Sequence, residues 1–177
     1  MVVNYSVVSC SLEEHGEQIL AIFNDAIENS TALYDYKPRT MASMESWFGA
    51  KAEGKFPVIG LVSDDGVLMG FGSFGAFRVQ PAYKYTAEHS VYVHRDFRGQ
   101  GLGKVLLKLV IESAEERGIH ALIGVIDSKN SGSISLHENL GFKLVGQLPQ
   151  VGFKFDRWLD VSLYQLTLAG PTNPIDG

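Results

Sequence analysis

The residues best suited to chemistry lie in a glycine-rich stretch, residues 98–104, between a strand-like run and a long amphipathic helix. Arg98 opens this stretch, and Gly99, Gly101 and Gly103 follow at alternate positions. A glycine turn at a helix start leaves backbone N–H groups unpaired, and the helix dipole adds positive potential there. The stretch therefore predicts a site for an anion, most often a phosphate group.

Two nucleotide motifs do not fit the stretch. A triphosphate-binding loop needs a serine or threonine after its Gly-Lys pair, but Gly103 and Lys104 are followed by Val105. A dinucleotide-binding loop that starts at Gly99 would need a third glycine where Lys104 stands. The phosphate ligand is therefore expected to be of another kind.

The strand that leads into this stretch, predicted over Thr86–Val93, carries an acidic residue near its centre. Strand alternation places Glu88 and Ser90 on one face and Ala87 and His89 on the other. A carboxylate in a strand centre is unusual unless it is paired, so a salt bridge across the sheet is one interpretation. His89 is expected to be structural or to form a pocket wall.

Composition restricts the class of protein. The chain has 177 residues, 45% of them hydrophobic and 20% charged, which is typical of one soluble globular domain. The net charge of -5 disfavours nucleic acid as a partner. One cysteine, Cys10, allows no internal disulfide, and no signal peptide or membrane span is found, so a cytoplasmic protein is expected.

Hydrophobic periodicity and turn residues predict an α/β fold with a mixed central sheet. Ser11 and Glu14 are expected to form a capping box at the first helix. The C-terminal part is predicted as a strand up to Gly146, a loop through Pro149 and Gly152, and a last strand near 158–168. One domain is expected over residues 1–170, with a frayed tail at 171–177. Strands are predicted near 4–9, 57–63, 67–77, 86–93, 121–126, 142–146 and 158–168, and helices near 12–29, 41–53, 102–117 and 130–140.

The pattern Arg98-x-x-Gly101-x-Gly103 resembles the acetyl-CoA pyrophosphate loop of the GNAT N-acetyltransferase superfamily. Asn130-x-x-Ser133 and the run 136–142 are similar to a later motif of that superfamily. Within it, residues 22–26, 85–93 and 149–160 resemble the phosphinothricin and methionine sulfoximine (methionine sulfone) acetyltransferase family. The resemblance covers about residues 4–168. It implies a mostly antiparallel sheet of about seven strands, flanked by about four helices and splayed at the acetyl-CoA site.

The resemblance also implies an activity: transfer of acetyl from acetyl-CoA to the α-amine of a small amino acid analogue. Phosphinothricin, methionine sulfoximine and methionine sulfone are the expected substrates, and attack is direct in a ternary complex. No metal is expected, and the family commonly forms homodimers. Two alternatives are a protein or peptide N-acetyltransferase and a non-catalytic acyl-CoA-binding module.

Two residues are candidates for proton transfer under this resemblance. The attacking amine must lose a proton, and Glu88 is the implied general base, directly or through water. His137 lies where many members of the superfamily have a tyrosine that protonates the departing thiolate. A histidine could act as acid or base there, or could simply cap its helix.

The implied cofactor contacts lie on the strand edge, on the glycine stretch and on the later helix. The strand edge would supply donors for the thioester oxyanion and pair with the pantetheine amides. Asn130 and Ser133 could contact the pantetheine arm or serve only as helix caps. The cofactor candidates are Val91, Tyr92, Val93, Arg98, Gly99, Gln100, Gly101, Leu102, Gly103, Lys104, Asn130 and Ser133.

An amino acid substrate carries a carboxylate, for which an arginine offers a two-pronged grip. Arg78 matches the family's substrate-binding loop, and Lys154 and Arg157 in the expected later loop are further cations. Each could equally be a solvated surface charge. The substrate candidates are Arg78, Val79, Gln80, Glu88, His89 and Ser90.

Overall fold

The computed structural model describes residues 4–177, which form seven strands and four α-helices. Two short 3-10 helices, Pro81–Tyr83 and Arg95–Phe97, flank the fourth strand. In chain order the elements are β1 (Ser6–Ser9), α1 (Leu12–Asn29), α2 (Met41–Glu53), β2 (Val58–Val62), β3 (Leu68–Ala76), β4 (Thr86–Val93), α3 (Leu102–Glu116), β5 (Ala121–Asp127), α4 (Ser131–Glu138), β6 (Lys143–Lys154) and β7 (Arg157–Thr167).

The strands form one mixed sheet in the order β1-β2-β3-β4-β5-β7-β6. β1 with β2, β2 with β3, β5 with β7 and β6 with β7 pair antiparallel. β4 and β5 pair parallel, with α3 as the crossover between them. The predicted mixed α/β fold with seven strands and four helices is confirmed.

The described residues up to Phe74, together with Ser90–Val110, form one compact unit. Its core places α1 and α2 against β3 and β4 through aromatic side chains. The Phe23 ring meets those of Trp47, Phe71 and Tyr92 edge-on, at centroid distances of 5.3, 5.1 and 5.2 Å. Such edge-to-face pairs add to the burial of apolar area and fix the helices in place.

The second compact unit consists of Gly75–His89 and Ile111–Gly177. Its core lies on β5 and β7, where Leu122, Leu159 and Val161 are almost fully buried. Beyond β7 the tail has no helix or strand, although the Tyr85 hydroxyl accepts a hydrogen bond from the Ile175 N–H at 3.1 Å. No helix within residues 4–177 is long and apolar enough to cross a membrane.

The start of α1 forms only one of the two hydrogen bonds of the predicted capping box. The Ser11 hydroxyl accepts from the Glu14 N–H at 3.2 Å, as expected of an N-cap. The Ser11 N–H donates instead to Nδ1 of His15 at 3.3 Å, so Glu14 does not reach back. The reciprocal pattern occurs at α2, between Thr40 and Ser43.

The C-terminal hairpin corrects the prediction of a loop near Pro149 and Gly152. β6 runs through both residues and pairs with β7 up to a two-residue turn at Phe155 and Asp156. Both turn residues have positive φ, 52° and 55°, which suits a tight hairpin. The register shifts between Leu148 and Gly152, so the Pro and Gly signals mark an irregularity within a strand.

Gly70 lies in β3 where the neighbouring backbone leaves no room for a side chain. A Cβ there would stand 2.7 Å from the Tyr92 carbonyl oxygen and 3.2 Å from the Val93 Cα. We expect Gly70→Ala to lower the free energy of unfolding by about 1–3 kcal/mol, because β3 and β4 must separate. Chemical denaturation measures this.

The matched control is Gly49→Ala on the exposed side of α2, where an added Cβ meets nothing within 4 Å. This variant should be more stable than the native chain by up to about 1 kcal/mol, because alanine favours the helix. A Gly70→Ala variant as stable as the native protein would show that the strands have room to yield.

Candidate functional site

The glycine stretch forms an open turn that precedes α3. Gly99 and Gly101 adopt left-handed φ values of 77° and 80°, and a Cβ at either position would meet nothing within 4 Å. These residues, with Gln100, are exposed. The turn therefore presents backbone rather than side chains, as a phosphate cradle requires.

The first turn of α3 adds donors to this cradle. The N–H groups of Lys104 and Val105 both bond to the Gly101 carbonyl, at 3.1 and 3.3 Å. Leu102 and Gly103 come before the residues whose N–H groups make the first intrahelical hydrogen bonds. Their own N–H groups therefore point out of the N-terminal end of the helix. The Leu102 side chain is buried, which anchors the helix start, and Lys104 is exposed.

Arg98, a predicted cofactor contact, is engaged within the protein. Its Nη2 donates to Oδ2 of Asp25 at 2.6 Å, and its Nε donates to the Val93 carbonyl at 3.2 Å. Half of its side chain is exposed. Arg98 therefore links the end of β4 to α1.

β4 follows the predicted alternation: Ala87 and His89 are buried, whereas Glu88 is exposed. The parallel pairing with β5 joins Thr86–Glu88 to Ala121–Ile123 and ends there. Glu88 thus lies where the pairing stops, on the opposite face from His89. The strand continues to Val93, and its residues from Ser90 onward are half-buried.

His89 reaches a second buried histidine. Its Nε2 lies 2.9 Å from Nε2 of His137, and both residues are 6% exposed. The His137 Nδ1 lies 2.7 Å from the Ser133 carbonyl oxygen, one turn earlier in α4. A Cβ on Gly124 of β5 would stand 3.1–3.2 Å from both rings, so glycine leaves room for the pair.

These contacts define the tautomers of two neutral rings. A carbonyl only accepts, so Nδ1 of His137 carries the proton and Nε2 of His137 is an acceptor. Nε2 of His89 must then donate, which leaves its Nδ1 without a proton. That nitrogen is buried, and no group within residues 4–177 meets the distance and angle of a hydrogen bond to it; the Ile123 backbone acts on the ring only weakly.

Burial lowers the pKa of both histidines. The pKa of His89 falls from 6.5 to about 3, through burial first and the neighbouring His137 second, against a smaller opposite effect of the Ile123 backbone. The pKa of His137 is also lowered by burial, and the Ser133 carbonyl opposes the shift. Both rings are therefore neutral at pH 7.

The geometry bears on the role of His137. Both of its ring nitrogens are engaged, with Ser133 and with His89, and its side chain is buried. Whether His137 acts as an acid, as a base or only as a structural residue stays a prediction. His89 is buried and contacts His137, and its role as a structural residue or as a pocket wall stays a prediction.

The α4 start uses a predicted cofactor residue as a cap. Oδ1 of Asn130 accepts from the Ser133 N–H at 3.1 Å, so Asn130 caps the helix, as one of its two interpretations expected. The Ser133 hydroxyl lies 3.5 Å from Nδ1 of His137. A contact of Asn130 or Ser133 with a pantetheine arm stays a prediction.

The predicted substrate loop lies on the surface. Arg78, Val79 and Gln80 are exposed, and the Arg78 guanidinium lies over the Phe77 ring at 5.1 Å. Phe77 in turn packs edge-on against Tyr83 at 5.8 Å. The loop therefore holds its arginine by aromatic contacts and leaves the guanidinium edge accessible.

The two later cations do not lie in a loop. Lys154 and Arg157 face each other across the β6–β7 turn, as the last pair of the ladder. Lys154 is buried, with its ammonium 4.9 Å from the Phe155 ring centre, whereas Arg157 is exposed. Their expected location was wrong because the strand extends further than predicted.

Sequence reasoning missed two partners. Asp25 binds Arg98 across 73 positions, and His89 pairs with His137 across 48. For the second pair the sequence offered one indication, the inward position of His89 on its strand. That position did not indicate which residue His89 would contact. Nothing in the local pattern around Asp25 indicates the first.

Residues 19–142 match the model of a family described as the acetyltransferase (GNAT) family. The chain belongs to this family. In this GNAT protein the matched segment includes Glu88, the glycine stretch and α4. The predicted family is confirmed.

Known proteins similar to this GNAT chain cover most of it. An L-methionine sulfoximine/L-methionine sulfone acetyltransferase of Pseudomonas paraeruginosa is 45% identical over 150 residues, 85% of this chain and 87% of the relative. A solved structure from Acinetobacter baylyi is 52% identical, covers 99% of this chain and 98% of that one, and has a TM-score of 0.98. A GNAT superfamily phosphinothricin acetyltransferase of Sinorhizobium meliloti, solved in complex with acetyl-CoA, is 30% identical, covers 100% of this chain and 95% of its own, and has a TM-score of 0.91.

No group of three or more histidine, cysteine, aspartate or glutamate side chains within residues 4–177 is arranged to hold a metal ion. The His89–His137 pair consists of two imidazoles that bond to each other.

The neutral histidine pair makes stability depend on pH. Because the folded pKa of His89, about 3, lies below the unfolded value of 6.5, the unfolded chain binds the extra proton as pH falls. The contribution of His89 is complete above pH 6.5 and is lost progressively as pH falls from 6.5 towards about 3. Denaturation at several pH values measures the slope.

His89→Gln keeps a donor towards His137 but removes the titrating ring, so the stability of the variant should fall less steeply below pH 6.5. His120→Gln, at an exposed histidine, is the control and should follow the native profile. Parallel profiles for the native chain and His89→Gln would contradict the assignment of a buried neutral pair.

Proposed function

We propose that this protein transfers the acetyl group of acetyl-CoA to the α-amine of small amino acid analogues. The substrate class is that of its relatives: methionine sulfoximine, methionine sulfone and phosphinothricin. One structural observation carries the proposal. A single strand, β4, presents an exposed carboxylate at Glu88 and leads into an open glycine turn at the start of a helix.

The glycine turn fits the cosubstrate. Gly99 and Gly101 leave their backbone open, and the N–H groups at the α3 start favour a pyrophosphate. The β4 backbone over Val91–Val93 would pair with the pantetheine amides in the manner of an added strand. Acetyl-CoA supplies an acyl group activated as a thioester.

Glu88 is the proposed base. An α-ammonium cannot attack a carbonyl until it loses a proton, and an exposed carboxylate can take it directly or through one water. The amine nitrogen then forms the amide bond as the carbon–sulfur bond breaks. Cys10 is buried with its pKa raised to about 12, so a covalent cysteine intermediate is not part of the proposal.

His137 has a supporting role in this proposal. Its two ring nitrogens bond to Ser133 and His89, so the pair holds α4 against β4 and β5. The departing thiolate then takes its proton from solvent rather than from His137. Asn130 and Ser133 remain proposed contacts for the pantetheine arm.

Arg78 is the proposed partner of the substrate carboxylate. Its guanidinium rests on the Phe77 ring, which limits its freedom and favours a two-pronged contact. Val79, which is 92% exposed, and Gln80 follow it in the loop and would border the substrate side chain. Ser90, on the same strand face as Glu88, completes the proposed set.

We also propose that the protein is a homodimer through β6 and β7. β6 is the last strand of the sheet, and the hairpin exposes many large apolar side chains. Those at least 43% exposed are Leu144, Val145, Leu148, Val151, Phe153, Phe155 and Trp158. A surface of this kind on a small protein is typical of an interface between copies.

The proposed reaction is tested by following free thiol while methionine sulfoximine, methionine sulfone or phosphinothricin is added with acetyl-CoA. We expect thiol release with at least one of them, and Glu88→Gln should lower kcat/KM by about 10²–10⁴ near neutral pH. The deficit should shrink at high pH, where the amine loses its proton unaided.

Glu115→Gln on the exposed side of α3 is the charge-matched control and should retain the native rate. No thiol release from any of the three compounds would refute the substrate class, and release with peptides alone would favour a protein N-acetyltransferase. Tight acetyl-CoA binding without transfer to any amine would favour a binding module. A Glu88→Gln variant with the native rate at every pH would refute the base.

The dimer is tested by light scattering after size-exclusion chromatography. Trp158→Glu places a charge on an exposed apolar side chain of the hairpin, and we expect it to shift the mass from dimer towards monomer. Val79→Glu, at a still more exposed apolar residue outside the hairpin, should leave the mass unchanged. A native chain that is monomeric at all concentrations tested would overturn the proposal.

A further inference from the structure

Asp25 lies on α1 with its carboxylate turned towards two arginines of the segment that follows β4. Its Oδ2 accepts from Nη2 of Arg98 at 2.6 Å, and its Oδ1 lies 3.9 Å from Nη1 of Arg95. The Asn29 amide, one turn later in α1, donates to Oδ1 at 3.1 Å and orients the carboxylate. The Asp25 side chain is only 16% exposed, so the pair with Arg98 is partly shielded from water.

Arg98 uses a second nitrogen for a contact with the strand. Its Nε donates to the Val93 carbonyl, which belongs to the last residue of β4. The guanidinium therefore closes the connection formed by residues 94–97. Gly99 follows immediately, so the link from Val93 through Arg98 to Asp25 sets where the glycine turn begins.

We propose that Asp25 is a positioning residue for the phosphate cradle and acts through Arg98. The inference rests on the proposed function, since it takes the glycine turn to be the acetyl-CoA site. Gly99 and Gly101 have no side chain to hold them, and an added Cβ would meet nothing. An unsupported turn of this kind samples many conformations, and binding would then require it to be ordered. The Asp25–Arg98 pair orders it before CoA arrives.

The rival role for Arg98 is direct contact with a phosphate group. The two roles predict opposite effects for Asp25→Asn. If Arg98 binds phosphate, loss of Asp25 frees its guanidinium and CoA binds as tightly or more tightly. If Arg98 is held in place by Asp25, the loss loosens the turn and CoA binds more weakly.

The experiment measures the dissociation constant of CoA by calorimetry, with KM for acetyl-CoA and kcat in parallel. We expect Asp25→Asn and Arg98→Gln each to weaken CoA binding by roughly tenfold. The double variant should bind CoA as tightly as Arg98→Gln alone, because both substitutions remove the same link. Because Asp25 is assigned no contact with the reacting atoms, KM should rise while kcat stays within about twofold. Asp25→Glu, which keeps the charge, should restore most of the affinity.

Amide hydrogen exchange of residues 98–103 without CoA separates this inference from the proposed function. Exchange in that segment should be faster in Asp25→Asn than in the native chain and unchanged in the control, Asp65→Asn in the exposed β2–β3 turn. A native chain that does not bind CoA would refute the proposed function, and the exchange measurement would still test the link. Unchanged exchange, or CoA binding by Asp25→Asn as tight as native, would overturn the inference.

Discussion

The main-chain pairing of β4 is the constraint on which the other features depend. Its first residues, Thr86–Glu88, pair in parallel with β5, and the pairing ends at Glu88. The pairing with β5 does not extend to the later residues of that strand. Alternation along the same strand turns Glu88 outward and His89 into the core. One strand thus provides an exposed carboxylate, a buried anchor and the approach to the glycine turn.

Two polar links connect this strand to helices. His89 is tied to α4 through His137, and Val93 is tied to α1 through Arg98. The histidine link is buried and neutral, because burial disfavours a charged imidazole more than the Ser133 carbonyl favours it. The arginine link is half-exposed and joins two opposite charges, the Arg98 guanidinium and the Asp25 carboxylate.

Local sequence patterns predicted most of the fold. They failed where residues typical of loops lie inside a paired strand. β4 and α2 occupy the predicted residues because alternation and caps act over a few positions. The β6–β7 hairpin was missed because Pro149 and Gly152 are typical of loops. In the structure the strand absorbs them through shifted register and a positive φ of 55° at Gln150. Pairing with β7 outweighs the local preference.

The sequence by itself determined the family, the mixed sheet, the glycine turn and the face of β4 that carries Glu88. The glycine turn and the face of β4 depend on residues close together in the chain, where spacing translates directly into geometry. The family and the mixed sheet follow from the order of such short patterns along the chain. Only the tertiary structure decided that Arg98 binds Asp25 and that His137 binds His89, over 73 and 48 positions. Those choices depend on how helices α1 and α4 pack on the sheet, because a charged or polar side chain bonds to whichever group packing brings within about 3 Å.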